Sequence, residues 1–402
     1  MLSLFDTATG SVQPLEPAGD PVRLYVCGIT PYDSAHLGHA FTYHVFDVLT
    51  RRLQVAGHAV HSVRNVTDCD DDIFRVARER GVDSRTLVAD QVARFDAELA
   101  SIDILPVDST PFASAHVPAM IDWIRQLEER GLAYARDGWV YIDVSRVDGF
   151  GALSGLDRAA MTVLARERGG NPDDPRRDDP LDMVLWQPSL PDELVWPSPW
   201  GEGRPGWHIE CSVLSALEAP DGVDVHGGGT DLVYPHHEAE IAQHDPVAGH
   251  PLARHWVHVA MVGLDGVKMS KSLGNLVFVH DLLRTAPPAA VRLMLAGHHH
   301  RTDWSYVSDD LAAAVERLRR YRAACASDGA LDPGAAAAVE HAFLARIDRD
   351  LDTPGALEVL DRAVADARPG RGGGVAVGAL LPRLLHVLGA GTAISAGSAT
   401  GA

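Results

Sequence analysis

The sequence has no apolar run approaching the roughly 20 residues that a membrane-spanning helix requires. Its first stretch, MLSLFDTATG, also lacks the basic start and the long apolar core of a secretory signal. We therefore expect a cytoplasmic protein that does not enter a membrane. With 402 residues, of which 46% are hydrophobic and 22% charged, the chain is long enough for two or three domains with a substantial core.

Cysteines and basic residues are both scarce. Four cysteines, Cys27, Cys69, Cys211 and Cys325, are scattered along the chain, a pattern that favours reduced thiols or metal ligands over a disulfide framework. Lys and Arg number 35 against 55 Asp and Glu, which gives a net charge of −20. This charge argues against non-specific binding to nucleic acids or anionic membranes, although it leaves room for a local basic patch.

Strands and helices alternate in the N-terminal part. The apolar run VRLYVCG (22–28) predicts a buried strand, the apolar face of residues 38–56 predicts a helix, and AVHSVRNVTD (59–68) predicts a second strand. A strand, a helix and a strand at this spacing predict a parallel sheet in an α/β fold. Residues 75–135 are typical of helices, and residues 167–182 are typical of a surface loop.

The sequence is nearly all helical from Ser308 onward. Four segments predict a helical bundle, namely SDDLAAAVERLRRYRAACA, PGAAAAVEHAFLARIDRDL, TPGALEVLDRAVADA and VAVGALLPRLLHVLG. Between the last two, ARPGRGGG (367–374) predicts a flexible connector, and residues 393–402 predict a disordered tail.

An unusual set of side chains follows the first long strand. Cys27 lies at the end of that strand, and His36 and His39 stand where the helix is predicted to begin. A helix N-terminus offers free N–H groups and the positive end of the helix dipole, which suit a phosphate, and Gly38 would let the phosphate approach closely. Taken alone, an H-x-G-H string is more often a pair of ordinary surface or core histidines.

A second segment, GLDGVKMSKSLGN, places Lys268 and Lys271 in a loop rich in Gly and Ser. Two lysines suit the leaving pyrophosphate of ATP, because their charge acts best as the phosphates separate. A lysine-rich loop alone is usually a solvated turn. HLGH together with KMSKS, however, resembles the two signatures of class I aminoacyl-tRNA synthetases. That resemblance implies that the chain binds ATP with Mg²⁺ and forms an aminoacyl adenylate.

A third set of residues predicts a metal site. His236 and Glu240 are four residues apart in PHHEAE, so on a helix both would face one side. Together with Cys27 and Cys211 they make a set of ligands that zinc prefers. The alternative is that both cysteines are small buried residues, as free cysteines often are. We expect one Zn²⁺ per chain, held by Cys27, Cys211 and His236, with Glu240 as an optional further ligand.

A zinc ion beside an adenylate site would select the amino acid. Zinc binds a thiolate far better than a hydroxyl, and it deprotonates a thiol that coordinates it. Serine differs from cysteine only by oxygen for sulfur, and the shape of a pocket separates such pairs poorly. The sequence therefore predicts L-cysteine as the substrate, with a position of the metal left open for its sulfur.

The strings around these residues resemble the cysteinyl-tRNA synthetase superfamily over about residues 1–310, and more weakly through the bundle. They are CGITPYD, HLGH, NVTD, GRPGWHIECS, HGGGTDL, PHHE and KMSKS. The resemblance implies a Rossmann-like class I synthetase catalytic domain over residues 1–300, with an inserted α/β segment at about residues 95–190. The C-terminal helical bundle (301–392) and the tail would follow it.

Two branches of this superfamily are relevant. One charges tRNA with cysteine, and the other is the mycothiol-pathway cysteine ligase, which joins cysteine to the amine of glucosaminyl-inositol (GlcN-Ins). CGITPYD with HLGH resembles the ligases, and so does ERGGNP (167–172), in which Asn171 replaces the aspartate of ERGGDP. We also expect no anticodon-binding domain after the bundle, and the negative charge argues against tRNA as a partner. Glu240 departs from this branch, because the ligases typically use three protein ligands.

The resemblance also assigns roles to residues. His36 and His39 would stabilise the reacting phosphorus, and Lys268 and Lys271 would hold pyrophosphate. Trp207 would pack beside the substrate cysteine. The residues expected to contact cysteine or the adenylate are Cys27, Gly28, Ile29, Thr30, Thr42, Asn65, Val66, Thr67, Trp207, Gly229, Thr230, Asp231 and Val262. Of these, Asp231 would pair with the α-ammonium group of cysteine.

The expected activity is therefore that of a monomeric enzyme that makes cysteinyl adenylate and transfers cysteine to GlcN-Ins, releasing AMP and pyrophosphate. The alternative enzyme is a short cysteinyl-tRNA synthetase, or a paralogue that loads cysteine onto another amine. The intact motifs argue against a degenerate synthetase used as a binding protein and against a structural zinc protein. The base that would take the proton of the amine is not identified by any motif.

Overall fold

The structure is a computed structural model that describes residues 1–31, 35–191, 193–269, 274–369 and 374–391. The strands are β1 (Ser3–Asp6), β2 (Ser11–Pro14), β3 (Val22–Ile29), β4 (Val60–Val66), β5 (Ala133–Arg136), β6 (Trp139–Ile142), β7 (Met183–Gln187), β8 (Arg204–Pro205), β9 (Val223–Gly229), β10 (Ala253–Val259), β11 (Val262–Leu264), β12 (Val267–Lys268), β13 (Trp304–Tyr306), β14 (Gly329–Leu331), β15 (Arg368–Pro369) and β16 (Val375–Ala376).

The helices follow the same numbering along the chain. They are α1 (Leu37–Val55), α2 (Asp71–Arg80), α3 (Ser84–Ser101), α4 (Val117–Glu129), α5 (Arg158–Glu167), α6 (Trp207–Glu218), α7 (Glu238–Ala248), α8 (Val279–Leu282), α9 (Pro288–Leu295), α10 (Ser308–Ala326), α11 (Pro333–Ile347), α12 (Thr353–Asp366) and α13 (Val377–Val387). Among the described residues, none of these helices is both long and apolar enough to cross a membrane.

A parallel sheet of four strands, in the order β10–β9–β3–β4, lies at the centre of the fold. This confirms the prediction of an α/β fold from the strand, helix, strand pattern. Successive side chains of a strand point to opposite faces, so β3 contributes to two cores. Leu24 and Val26 pack in the core that includes α1, α9 and α13, whereas Tyr25 and Cys27 pack in the core that includes α4, α6 and α7.

Four strands form a separate antiparallel sheet, in the order β5–β6–β7–β8. Residues 168–182, between α5 and β7, hold neither a helix nor a strand, as the many Gly, Pro and Asp residues predicted. The last strand of this sheet, β8, leads directly into α6. The antiparallel sheet is therefore joined to the helix that carries Trp207 and Cys211.

The four helices predicted near the C-terminus are present as α10 to α13. The prediction of a flexible connector at 367–374 is wrong at its start. Arg368 and Pro369 form a short strand, β15, that pairs with β14. The rest of that connector is only partly described, and the tail at 393–402 lies outside the described residues.

A buried carboxylate links α1 and α9 to the end of the C-terminal helices. Asp47 on α1 pairs with Arg51 at 2.9 Å and with the fully buried Arg292 of α9. Arg292 also donates through Nε to the carbonyl of Leu388, at 3.0 Å, just after α13. Because buried charges are costly unless they are paired, this group fixes three helices against one another.

Candidate active site

The carboxyl ends of the parallel strands bring the predicted adenylate residues to one edge of the sheet. Residues 27–30 end β3, residues 65–67 end β4, and residues 229–231 end β9. Val262 begins β11, shortly after β10, and is buried. Ligands of open α/β sheets bind at this edge. The predicted residues are thus close in space, although their individual contacts with a ligand stay predictions.

The HLGH string forms the first turn of α1, as expected. His36 is the N-cap residue, and its Nδ1 accepts a hydrogen bond from the His39 backbone N–H at 3.3 Å. The two imidazole rings stack with their centroids 3.7 Å apart. A pair of stacked imidazoles over the N-terminus of a helix is a suitable site for an anion.

The chain that follows KMSKS runs beside this turn. Leu37 N donates to Val277 O at 2.7 Å, and Val279 N donates to Ala35 O at 3.2 Å. The segment at residues 277–279 is therefore a neighbour of the HLGH turn. Lys271 and the side chain of Lys268 lie outside the described residues, so their roles stay predictions.

The predicted adenylate contacts Gly28, Thr42, Asn65 and Thr67 have partners within the protein. Asn65 accepts a hydrogen bond from Gly28 N at 2.8 Å through Oδ1, and its Nδ2 donates to Thr67 Oγ1 at 3.3 Å. The Thr42 hydroxyl donates to Gly38 O, at 3.2 Å, inside α1. These hydrogen bonds shape the backbone around the turn between β3 and α1, a structural role that the sequence did not indicate.

Cys27, Cys211, His236 and Glu240 meet on one side of β3. One ligand atom from each of the four residues lies within 4.8 Å of the others, and all four side chains are buried. His236 Nε2 is 3.1 Å from Glu240 Oε1, which is 3.4 Å from Cys27 Sγ. The predicted metal ligands are thus brought together by β3, α6, the segment before α7 and the first turn of α7.

The chemistry of this cluster fits zinc. Burial raises the pKa of the Cys27 thiol, so its thiolate would be unfavourable there without a cation to stabilise it. Burial lowers the pKa of His236, which keeps the imidazole neutral and its lone pair available to a metal. Two sulfurs, one imidazole and one carboxylate oxygen match the zinc ligands found in proteins.

Further histidines surround the cluster, and they were not predicted from the sequence. His226 Nε2 is 2.7 Å from Glu240 Oε2, and His237 Nε2 is 3.2 Å from Cys27 Sγ. His237 Nδ1 is 2.8 Å from His258 Nε2. Cys27, His226, His237 and Glu240 form a second group with ligand spacing. The signal was present, because His226 and His237 lie in the HGGG and PHHE strings.

Trp207 and the ERGGNP segment lie next to the cluster. The Trp207 ring stacks on His236 with centroids 4.4 Å apart. Arg168 of ERGGNP donates through Nη1 to the backbone carbonyls of Asp231 and Tyr234. Trp207, Arg168 and Thr30 all line a cavity of about 500 Å³. ERGGNP is therefore a wall of the site and is tied to the turn that carries Asp231.

Comparison with known proteins places this site in a family. Residues 13–316 match the family model of the tRNA synthetases class I (C) catalytic domain. The chain is 45% identical over 373 residues to the L-cysteine:1D-myo-inositol 2-amino-2-deoxy-alpha-D-glucopyranoside ligase of Thermobifida fusca, covering 92% of this chain and 90% of the relative. The ligase of the same description from Gordonia bronchialis is 44% identical over 393 residues, covering 96% of this chain and 94% of the relative.

Solved structures share the fold at low sequence identity. The Mycobacterium tuberculosis methionyl-tRNA synthetase in complex with methionyl-adenylate aligns with a TM-score of 0.63 and 19% identity, covering 87% of this chain and 82% of that one. The LeuRS of Agrobacterium radiobacter K84, solved in a ternary complex with tRNA, aligns with a TM-score of 0.66 and 12% identity. The alignment covers 96% of this chain and 86% of that one. These likenesses support the class I synthetase architecture.

Proposed function

The chain belongs to the class I (C) tRNA synthetase catalytic-domain family and, within it, to the L-cysteine:1D-myo-inositol 2-amino-2-deoxy-alpha-D-glucopyranoside ligases, and from this membership we infer that it is an ATP-dependent cysteine ligase. It activates L-cysteine as cysteinyl adenylate with Mg-ATP. It then transfers cysteine to the amine of GlcN-Ins, which makes it an enzyme of mycothiol biosynthesis. We further propose that it acts as a cytoplasmic monomer.

One structural observation carries this proposal. The cluster of Cys27, Cys211, His236 and Glu240 lies beside the cavity lined by Trp207, at the edge of the sheet where class I adenylates form. Zn²⁺ held by Cys27, Cys211 and His236, with Glu240 as an optional further ligand, would supply a thiophilic cation with a coordination position open to the substrate thiolate. Selection of cysteine over serine follows from that preference.

The residues of the chain account for the first step. The carboxylate of cysteine attacks the α-phosphorus of ATP, and pyrophosphate leaves. His36, His39 and the N-terminus of α1 stabilise the negative charge that develops on the phosphate oxygens. Asp231 binds the α-ammonium group and so orients the carboxylate. Lys268 and Lys271 bind the departing pyrophosphate.

The second step joins the two substrates. The amine of GlcN-Ins attacks the carbonyl carbon of the adenylate, and AMP leaves with the bonding electron pair. The anhydride is already activated, so holding the amine within reach supplies much of the rate. The wall formed by ERGGNP excludes water from the adenylate, which would otherwise hydrolyse.

The experiment that tests the function is a mass-spectrometric assay of the protein with Mg-ATP, L-cysteine and GlcN-Ins. We expect Cys-GlcN-Ins and AMP to form in equal amounts, and no product when serine replaces cysteine. Transfer RNA for cysteine is the matched alternative acceptor in a parallel reaction. Cysteinyl-tRNA without Cys-GlcN-Ins would overturn the ligase function and leave the activation chemistry in place.

A further inference from the structure

The cavity beside Trp207 extends away from the metal cluster toward the N-terminus of α2. Its lining includes Thr30, Asp70, Arg168, Arg177, Trp207 and Tyr234. The volume of about 500 Å³ is within the range of small-ligand sites, and it adjoins the residues proposed to hold cysteine. We propose that this cavity is the acceptor subsite, that it takes an amino-polyol, and that Asp70 binds the amine and accepts its proton. This inference rests on the proposed function.

Asp70 differs from Asp71 and Asp72, the two carboxylates that follow it, in having no ion pair among the described residues. Asp71 pairs with Arg204, and Asp72 pairs with Arg75 at 2.6 Å. Asp70 has no ion pair among the described parts of the chain, and its Oδ1 accepts one hydrogen bond, from Asp72 N at 2.9 Å. Arg204 and Arg75 act on Asp70 electrostatically without forming an ion pair with it, so we assign its second carboxylate oxygen to an ammonium group in the cavity. Burial raises the pKa of Asp70, which makes its carboxylate a better proton acceptor.

Two orphaned polar atoms in the wall point to a hydroxylated ligand. Tyr234 is 1% exposed, and its hydroxyl has no hydrogen-bond partner among the described residues. The Nε of Arg177 also lacks a partner within the described ranges, although its Nη1 donates to Asp182 O. Buried polar groups are nearly always hydrogen-bonded in folded proteins. Both residues line the cavity, and a polyol whose hydroxyls reach these atoms would pair them, whereas an apolar amine would leave them unpaired.

With Asp70 as the base, every proton and every bond of the transfer step is accounted for. The acceptor enters as an ammonium ion and gives one proton to the Asp70 carboxylate. The neutral nitrogen then forms a bond to the carbonyl carbon of cysteinyl adenylate. The bond from that carbon to the phosphate oxygen of AMP breaks, and the oxygen keeps the electron pair. The second proton of the nitrogen and the proton on Asp70 pass to water.

The variant Asp70→Asn tests the inference, because asparagine caps a helix about as well as aspartate does. We expect cysteine-dependent ATP–pyrophosphate exchange to stay at the wild-type rate, since that reaction needs no acceptor. We expect the rate of Cys-GlcN-Ins formation to fall about 10²-fold or more. Hydroxylamine is largely neutral at pH 7 and needs no base, so the variant should form cysteine hydroxamate as fast as the wild type.

The matched control is Glu79→Gln, which makes the same chemical change on the same helix. Glu79 pairs with Arg75 on the surface and does not line the cavity. Asp70→Ser, which also retains a capping oxygen, should repeat the selective loss of transfer if Asp70→Asn is poorly folded. If the Asp70 variants transferred cysteine to GlcN-Ins at the wild-type rate, the role of Asp70 as base would be wrong, while the proposed function would stand. Absence of transfer by the wild-type protein would overturn the proposed function, and the acceptor subsite with it.

Discussion

We expect the Cys211→Ser protein to lose its zinc and to catalyse cysteine-dependent ATP–pyrophosphate exchange about 10³-fold more slowly, equal to about 4 kcal/mol of transition-state stabilisation. Cys211 lies on α6 with 1% of its surface exposed, beside Cys27 and His236. A hydroxyl has nearly the shape of a thiol but is a much weaker zinc ligand, so the fold is kept while the metal is lost. Metal content and exchange rate, measured on the same sample, check this result.

The matched control for this substitution is Cys325→Ser. Cys325 is a half-buried thiol of α10 and belongs to neither group with metal-ligand spacing among the described residues. It should keep both zinc and exchange activity. If a zinc-free Cys211→Ser protein still activates cysteine and still rejects serine, selection of the substrate by the metal is wrong.

The sequence predicted the central fold because the fold depends on local periodicity. The apolar positions of α1 recur with the spacing of a helix, and Gly57, with φ of +95°, follows its end. The predicted helix (38–56) agrees with the observed one (Leu37–Val55) to within one residue. The four C-terminal helices were predicted for the same reason. Strand β15 was missed because its pairing with β14 joins distant parts of the chain, which no local pattern shows.

The four residues of the metal cluster were named from the sequence, but the histidines that surround them were not. Cys27 faces α6 and α7 because it lies on the same face of β3 as Tyr25, and the alternation along the strand is consistent with this position. His226 and His258, by contrast, lie on β9 and β10. Their approach to the cluster follows from the order of strands in the sheet, β10–β9–β3–β4. Sequence strings do not give that order, so these histidines could not be placed from the strings alone.

Asn65 shows a second limit of prediction from sequence motifs. Its position in NVTD predicts a contact with the adenylate, and the structure gives its side chain two partners inside the protein, Gly28 and Thr67. Regular pairing of β3 with β4 is interrupted between Val26 and Ile29. The Asn65 side chain supplies the acceptor that the Gly28 N–H would otherwise lack at this interruption. A motif identifies such a residue, but its partner is visible only in three dimensions.

We expect Gly28→Ala to lower the free energy of unfolding by more than about 4 kcal/mol and to abolish cysteine activation. A Cβ atom on residue 28 would lie 1.6 Å from the backbone oxygen of Asn65. No rotation of a side chain can relieve this clash, because the atom belongs to the backbone of β4. The two strands would have to separate where Asn65 accepts the hydrogen bond from Gly28 N, beside Cys27. Denaturant titration and ATP–pyrophosphate exchange measure the two effects.

Gly19→Ala is the matched control for this last substitution. A Cβ atom at Gly19 would meet no heavy atom within 4 Å, so the same added methyl group should leave stability and exchange unchanged. Since Gly28 has no left-handed backbone conformation, the difference between the two variants isolates the close approach of β4 from the loss of glycine flexibility. A Gly28→Ala protein with the stability of the wild type would mean that β3 and β4 can move apart at low cost, and the turn that carries Cys27 would then be less rigid than its contacts imply.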